Sequence, residues 1–126
     1  MGADMRRKLL GLLGTAVLAA TGVAVLPASP AAAASGCWYN NGNWWCHNTY
    51  GARVYSLVYD GTYTEVGRMW TTTSWFDCRD ETTPAWVGGP HPYRWEFTKA
   101  DNGAWGWMKD TSISSETDPL PVCVED

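Results

Sequence analysis

Positive charge is scarce in this chain. Arg6, Arg7 and Lys8 account for three of its nine Lys and Arg, and beyond residue 34 six cations face twelve acids, a formal charge of about −6 with neutral His. Such a surface disfavours nucleic acid, whose phosphates call for Lys and Arg, and it disfavours anionic membrane surfaces for the same reason. Histidine is limited to His47 and His91, and no Ser beyond residue 34 sits in a Gly-x-Ser-x-Gly elbow, so an imidazole-driven hydrolase has little to draw on. Cys-x-x-Cys and Cys/His ligand spacings are missing, which argues against structural zinc. No stretch sustains a helical period, which leaves strands and turns.

What is present begins with a leader. Arg6, Arg7 and Lys8 precede an uncharged apolar stretch from Leu9 to Leu26, and small residues follow, ending in Ala31-Ala32-Ala33-Ala34. That order of positive, apolar and small residues is the pattern of a secretory signal peptide spanning residues 1–34, with cleavage expected after Ala33 or Ala34. A membrane anchor is the competing reading, weakened by the Ala, Gly and Thr content of the stretch and by the absence of a basic flank after it. A lipoprotein signal at Ala34-Ser35-Gly36-Cys37 lacks the Leu its first position calls for.

Removing the leader leaves about 90 residues, a size at which a hydrophobic core alone is marginal. Covalent staples are therefore expected, and all four cysteines, Cys37, Cys46, Cys78 and Cys123, lie past the leader. Four cysteines allow three pairings. Asn41-Gly42 is the favoured pair for a two-residue type I′ turn. Counting outward from it, Asn40 faces Asn43, Tyr39 faces Trp44, Trp38 faces Trp45, and Cys37 faces Cys46. If Asn40 and Asn43 form the hydrogen-bonded pair, the cysteines fall at a non-bonded one, where side chains approach closely enough for a disulfide. Cys78 then pairs with Cys123 and ties down a C-terminal tail, residues 115–126.

The remainder reads as short strands with turn punctuation. Arg53 to Tyr59 is β-prone, Asp60-Gly61 signals a hairpin, and Thr62 to Thr73 continues the pattern. Trp75 to Cys78 forms another short strand, and Arg79 to Pro92 a loop. Tyr93 to Thr98 alternates, and Asn102-Gly103 signals a two-residue turn into a last strand, Ala104 to Lys109. With that turn Trp107 faces Thr98, which puts Trp105 and Trp107 on a face that Trp95 and Phe97 do not share. The fold class expected is all-β, a small barrel or sandwich.

The last strand and its exit, Asp101-Asn102-Gly103-Ala104-Trp105-Gly106-Trp107-Met108-Lys109-Asp110-Thr111-Ser112-Ile113, resemble the ending of bacterial SH3 (SH3b) domains, in which a Gly-Trp-Val strand runs through a 3₁₀ turn to an apolar residue. Glu65-Val66-Gly67-Arg68-Met69 followed by Thr71 to Trp75 resembles the middle of the same domains. With the leader, the chain is similar to small secreted SH3b-like proteins of actinobacteria. The resemblance implies an SH3-like β-barrel over residues 47–114, with the aromatic hairpin 37–46 added in front, and it implies that Trp75 and Trp107 are core residues. The Arg-x-Gly-Pro-Ser stretch of the first SH3b strand is replaced by Tyr55 to Gly61, and Thr72 stands where a Gly is usual, so a cell-wall peptide ligand does not carry over.

All nine tryptophans lie past the leader, more than so small an interior can hold. In the hairpin, Trp38 and Trp45 share one face and Tyr39 and Trp44 the other. One face can pack on the body, and the other is left exposed, which on a soluble domain marks an interaction site or else a structural lid. Trp38, Tyr39, Trp44, Trp45 and nearby Tyr50 are thus the candidate partner-binding residues, since Trp and Tyr dominate binding hot spots. Asp77, Asp80 and Glu81 lack calcium-loop spacing and read as solvated charge. No catalytic residue, cofactor or metal is expected. The expected function is a secreted, non-catalytic interaction module engaging an extracellular protein or a cell-wall polymer, with no nucleic-acid partner and no membrane contact after cleavage. A small antibacterial toxin component or enzyme inhibitor and a glycan-binding module are the alternatives.

Overall fold

Asn41 and Gly42 both take positive φ, at 52° and 83°, as a type I′ turn requires. They join β1 (Trp38–Asn40) to β2 (Asn43–His47) in the register Asn40–Asn43, Tyr39–Trp44, Trp38–Trp45. The computed structural model describes residues 35–124, so the leader falls outside the described residues. Cys37 and Cys46 are disulfide-bonded, with Cα atoms 4.6 Å apart, the spacing of a non-hydrogen-bonded pair. Cys78 and Cys123 form the second disulfide. Both staples are those the cysteine spacing predicts.

The chain is all-β. After the hairpin come β3 (Ala52–Leu57), β4 (Tyr63–Met69), β5 (Thr73–Phe76), β6 (Cys78–Asp80), β7 (Trp95–Lys99), β8 (Trp105–Lys109) and a 3₁₀ turn at Asp110–Ser112. They form two sheets, β1-β2-β5 and β4-β3-β8-β7-β6. The chain passes from one sheet to the other at Asp77, between β5 and β6, where the Asp77 N–H donates to the Phe97 carbonyl at 2.8 Å. Side chains from the inner faces meet in a small core that includes Val54, Met69, Phe76, Met108, Ile113 and Leu120, with Trp44 packed against it. Leu120 brings the tail into this core, and the Glu116 carbonyl accepts from the Cys37 N–H at 2.9 Å.

The sheets do not close into the expected barrel. Strands β4 and β6 are the two edges of the five-stranded sheet, and each edge is covered by chain outside the ladders. On β4, the Asn102 side-chain amide donates to the Val66 carbonyl at 2.9 Å and the Asp101 N–H to the Arg68 carbonyl at 3.1 Å. Gly67 permits this approach, since a Cβ there would lie 2.7 Å from that of Ala100. On β6, the Arg79 N–H donates to the Pro121 carbonyl and the Arg79 carbonyl accepts from the Cys123 N–H, both at 2.8 Å. A turn and the tail thus meet the hydrogen-bonding groups that barrel closure would have paired.

The β7–β8 register differs from expectation by one residue. Lys99 faces Trp105, Thr98 faces Gly106 and Phe97 faces Trp107. The Ala100 N–H donates to the Ala104 carbonyl at 2.8 Å, leaving a three-residue loop with Gly103 at φ 92°. Asn102 accepts from the Ala104 N–H at 3.0 Å while donating to β4, so its side chain is committed to a loop geometry unlike that of a two-residue turn. The slip brings Trp95, Phe97, Trp105 and Trp107 onto one face. That is the outer face, because Glu96, Thr98 and Met108 point inward and are fully buried.

Candidate functional site: an outer aromatic ribbon and its cleft

Strand alternation decides which rings face outward. In β2 the inward residues are Trp44 and Cys46, because Trp44 faces Phe76 and Cys46 faces Ser74 across β5, and Phe76 and Ser74 are buried. Trp45 therefore points outward with its two opposite neighbours, Trp38 on β1 and Trp75 on β5. The Trp75 ring meets Trp105 edge-on at 5.5 Å between centroids, Trp105 stacks on Phe97 at 5.3 Å, and Phe97 meets Trp107 at 4.8 Å. Trp38, Trp45 and Trp75, opposite one another across β1, β2 and β5, and the ring contacts from Trp75 through Trp105 and Phe97 to Trp107 thus set six aromatics in one ribbon across both sheets. Trp38 and Trp105 are exposed, and the others are half-buried.

The five residues singled out from sequence divide. Trp38 and Trp45 lie on the ribbon, and the Trp45 indole N–H donates to the Asn40 carbonyl at 3.1 Å. Trp44 packs inward, while Tyr39, 5.4 Å from it, remains 62% exposed on the same side. Tyr50 makes its ring contact with Trp70 at 5.4 Å instead of with the hairpin. Trp75 and Trp107, expected in the core, are half-buried on the outer face, because one-residue alternation places Ser74, Phe76, Gly106 and Met108 inside. Among the tryptophans, the fully buried one is Trp95. Its indole N–H donates to the Ala85 carbonyl at 3.1 Å, and Tyr55 and Tyr63 pack on its ring. The 81–93 loop thus covers the outer face locally at Trp95.

At Trp107 the ribbon ends in a cleft of about 410 Å³ whose lining includes Leu57, Tyr59, Asp80, Thr82, Trp107 and Val124. Leu57 and Trp107 reach it from β3 and β8, and Asp80, opposite Trp95 on β6, points to the same face. The Asp80 carboxylate accepts from the Thr82 N–H at 3.2 Å and from its hydroxyl at 2.9 Å.

A separate polar cluster lies behind β7. The Arg94 guanidinium donates to Asp118 at 2.8 Å, to the Thr117 hydroxyl at 3.0 Å and to Glu81 at 3.1 Å. Burial works against its charge, but Asp118 and Glu81 outweigh it and raise the Arg94 pKa, while Arg94 lowers that of Asp118. Beside it, Glu96 is fully buried with neither carboxyl oxygen partnered by a donor, and burial followed by the neighbouring Asp110 carboxyl pushes its pKa well above the usual range. Burial without a donor disfavours the charged form of Glu96, and the neighbouring Asp110 carboxyl acts in the same direction. His91, Glu116 and Asp118 gather potential ligand atoms within 4.8 Å of one another. Arg94 already supplies positive charge there, which disfavours a metal cation at that point.

His47 bonds Thr73 at 3.0 Å and His91 bonds Glu116 at 2.9 Å. Among the described residues every cysteine is in a disulfide, so none offers a thiolate. Comparison of the chain with protein-family models, curated proteins and solved structures returns no match.

Proposed function

We propose that this is a secreted, non-catalytic interaction module that holds an extracellular protein through its outer aromatic ribbon. The observation that carries the reading is the alignment of six outward aromatics across two sheets, ending at a cleft. A compact domain gains little by leaving Trp38 37% and Trp105 50% exposed at intervals along one face, whereas interfaces draw much of their affinity from such residues. Secretion is supported by the leader sequence and by two disulfides, which persist in oxidising compartments. No helix of the described residues is long and apolar enough to cross a membrane. The SH3b likeness is consistent with a binding role but names no ligand.

Tagged protein recovered from culture medium, beside a Trp38→Ala/Trp105→Ala variant, tests the reading. These two rings are exposed, so the variant keeps the core. A co-eluting protein that is lost with the variant supports the proposal. Identical co-eluting material in both preparations defeats it, and retention of both on purified cell wall without a protein partner moves the reading to the polymer.

A further inference from the structure

We infer that the cleft beside Trp107 receives a lysine or arginine side chain of the partner protein, a reading that rests on the binding role proposed above. The argument is one of charge and surface chemistry. Every Lys and Arg of the described residues is already engaged within the protein. Arg53 and Arg68 pair with Glu65, Arg79 with Glu81, and Arg94 with Glu81 and Asp118. Lys99 lies over the Trp105 ring at 5.9 Å, and Lys109 over Tyr63 at 4.8 Å and Tyr55 at 5.3 Å. Among the described residues, Asp80 is the one ionisable carboxylate lining the cleft, and no cation stands within ion-pair distance of it.

The cleft therefore combines an unbalanced negative charge with an indole and aliphatic walls. A long aliphatic stem ending in a cation satisfies all three features, because the stem covers apolar surface while the head meets the carboxylate and the ring. A neutral sugar would leave the charge unmet, and an acidic group would be repelled. The volume, about 410 Å³, is ample for one such side chain and its backbone. The protein solves the same problem internally nearby, where its own Lys109 lies over two tyrosine rings. The acids of the Arg94-centred cluster, by contrast, already hold a guanidinium.

The test uses the ¹⁵N-labelled protein and three probes: acetyl-Gly-Arg-Gly-amide, its citrulline counterpart and chitotetraose. The readout is the Trp107 indole N–H resonance, assigned with a Trp107→Phe variant. The arginine peptide is expected to shift this resonance saturably, about five- to tenfold more tightly than the citrulline peptide, and less tightly as salt is raised. Asp80→Asn, which keeps an acceptor for Thr82, is expected to erase that ratio while leaving the thermal midpoint in place. Equal binding of the two peptides overturns the inference, as does a Trp107 shift with chitotetraose alone or with none of the probes. Partner capture that still depends on Trp38 and Trp105 in those cases would leave the binding role standing and remove only the assigned occupant.

Discussion

The Thr117 hydroxyl donates to Asp110 at 2.6 Å in a buried setting, next to the fully buried Glu96. Burial first, and then the neighbouring Asp110 carboxyl, hold the Glu96 pKa well above the usual carboxylate range. A carboxyl whose folded pKa is raised keeps its proton after the unfolded chain, near 4.5, has lost it. Stability from this group is therefore complete below about pH 4.5 and falls as pH rises toward the folded value. Glu96→Gln keeps the side-chain shape and removes the titration. Urea midpoints at pH 4, 6 and 8 should decline less steeply for the variant than for the natural protein, and the variant should be the more stable at pH 8. Parallel profiles would mean that Glu96 ionises normally.

Two tryptophans on the same face should behave oppositely. Trp95 is fully buried with its indole N–H satisfied, so Trp95→Ala should cost about 3 to 5 kcal/mol. Trp105 is half exposed, and Trp105→Ala should cost under about 1 kcal/mol. Denaturant unfolding of the two variants measures the contrast. Similar losses would show that the ribbon serves stability more than recognition.

The two disulfides close loops of different length, with sequence separations of 9 and 45. By chain entropy alone, removing them as Cys→Ala pairs should cost about 3 kcal/mol for Cys37–Cys46 and about 4 kcal/mol for Cys78–Cys123. The second loss should be larger still, because the tail it pins delivers Leu120 to the core. Thermal unfolding of the paired variants gives the order, and a greater loss at Cys37–Cys46 would reverse it.

Three Asx-Gly pairs explain how far the fold was readable from the sequence. At Asn41-Gly42 the two-residue turn was correctly legible, and with it the register and both disulfides. Asp60-Gly61 and Asn102-Gly103 carry the same dipeptide signal, yet each ends a three-residue loop with only Gly at positive φ, since Asn41 is the one non-glycine residue there among the described residues. In those loops the Asp60 and Asn102 side chains bond to backbone two residues on. Local sequence does not encode that choice at Asn102, which also depends on β4 standing within reach. The one-residue slip that follows is what assembled the ribbon. Trp38 and Trp45, singled out from sequence, lie on the ribbon, whereas Trp75, Trp105, Phe97, Trp107 and Asp80 became neighbours through long-range register. The runs 62–73 and 75–78 were likewise cut differently, at residues 70–72 and at Asp77, where the chain changes sheets.

The tail held by Cys123 has a further consequence. Pro121 and Cys123 occupy the backbone groups of Arg79 that would otherwise present an open β6 edge. An open edge is a template for another chain to add a strand. Oxidation of one cysteine pair thus helps to keep that edge covered as well as to stabilise the fold. In a reducing compartment the covalent hold on residues 121–123 would be lost, and the cover of β6 would rest on the tail's remaining contacts, Leu120 in the core and Asp118 on Arg94.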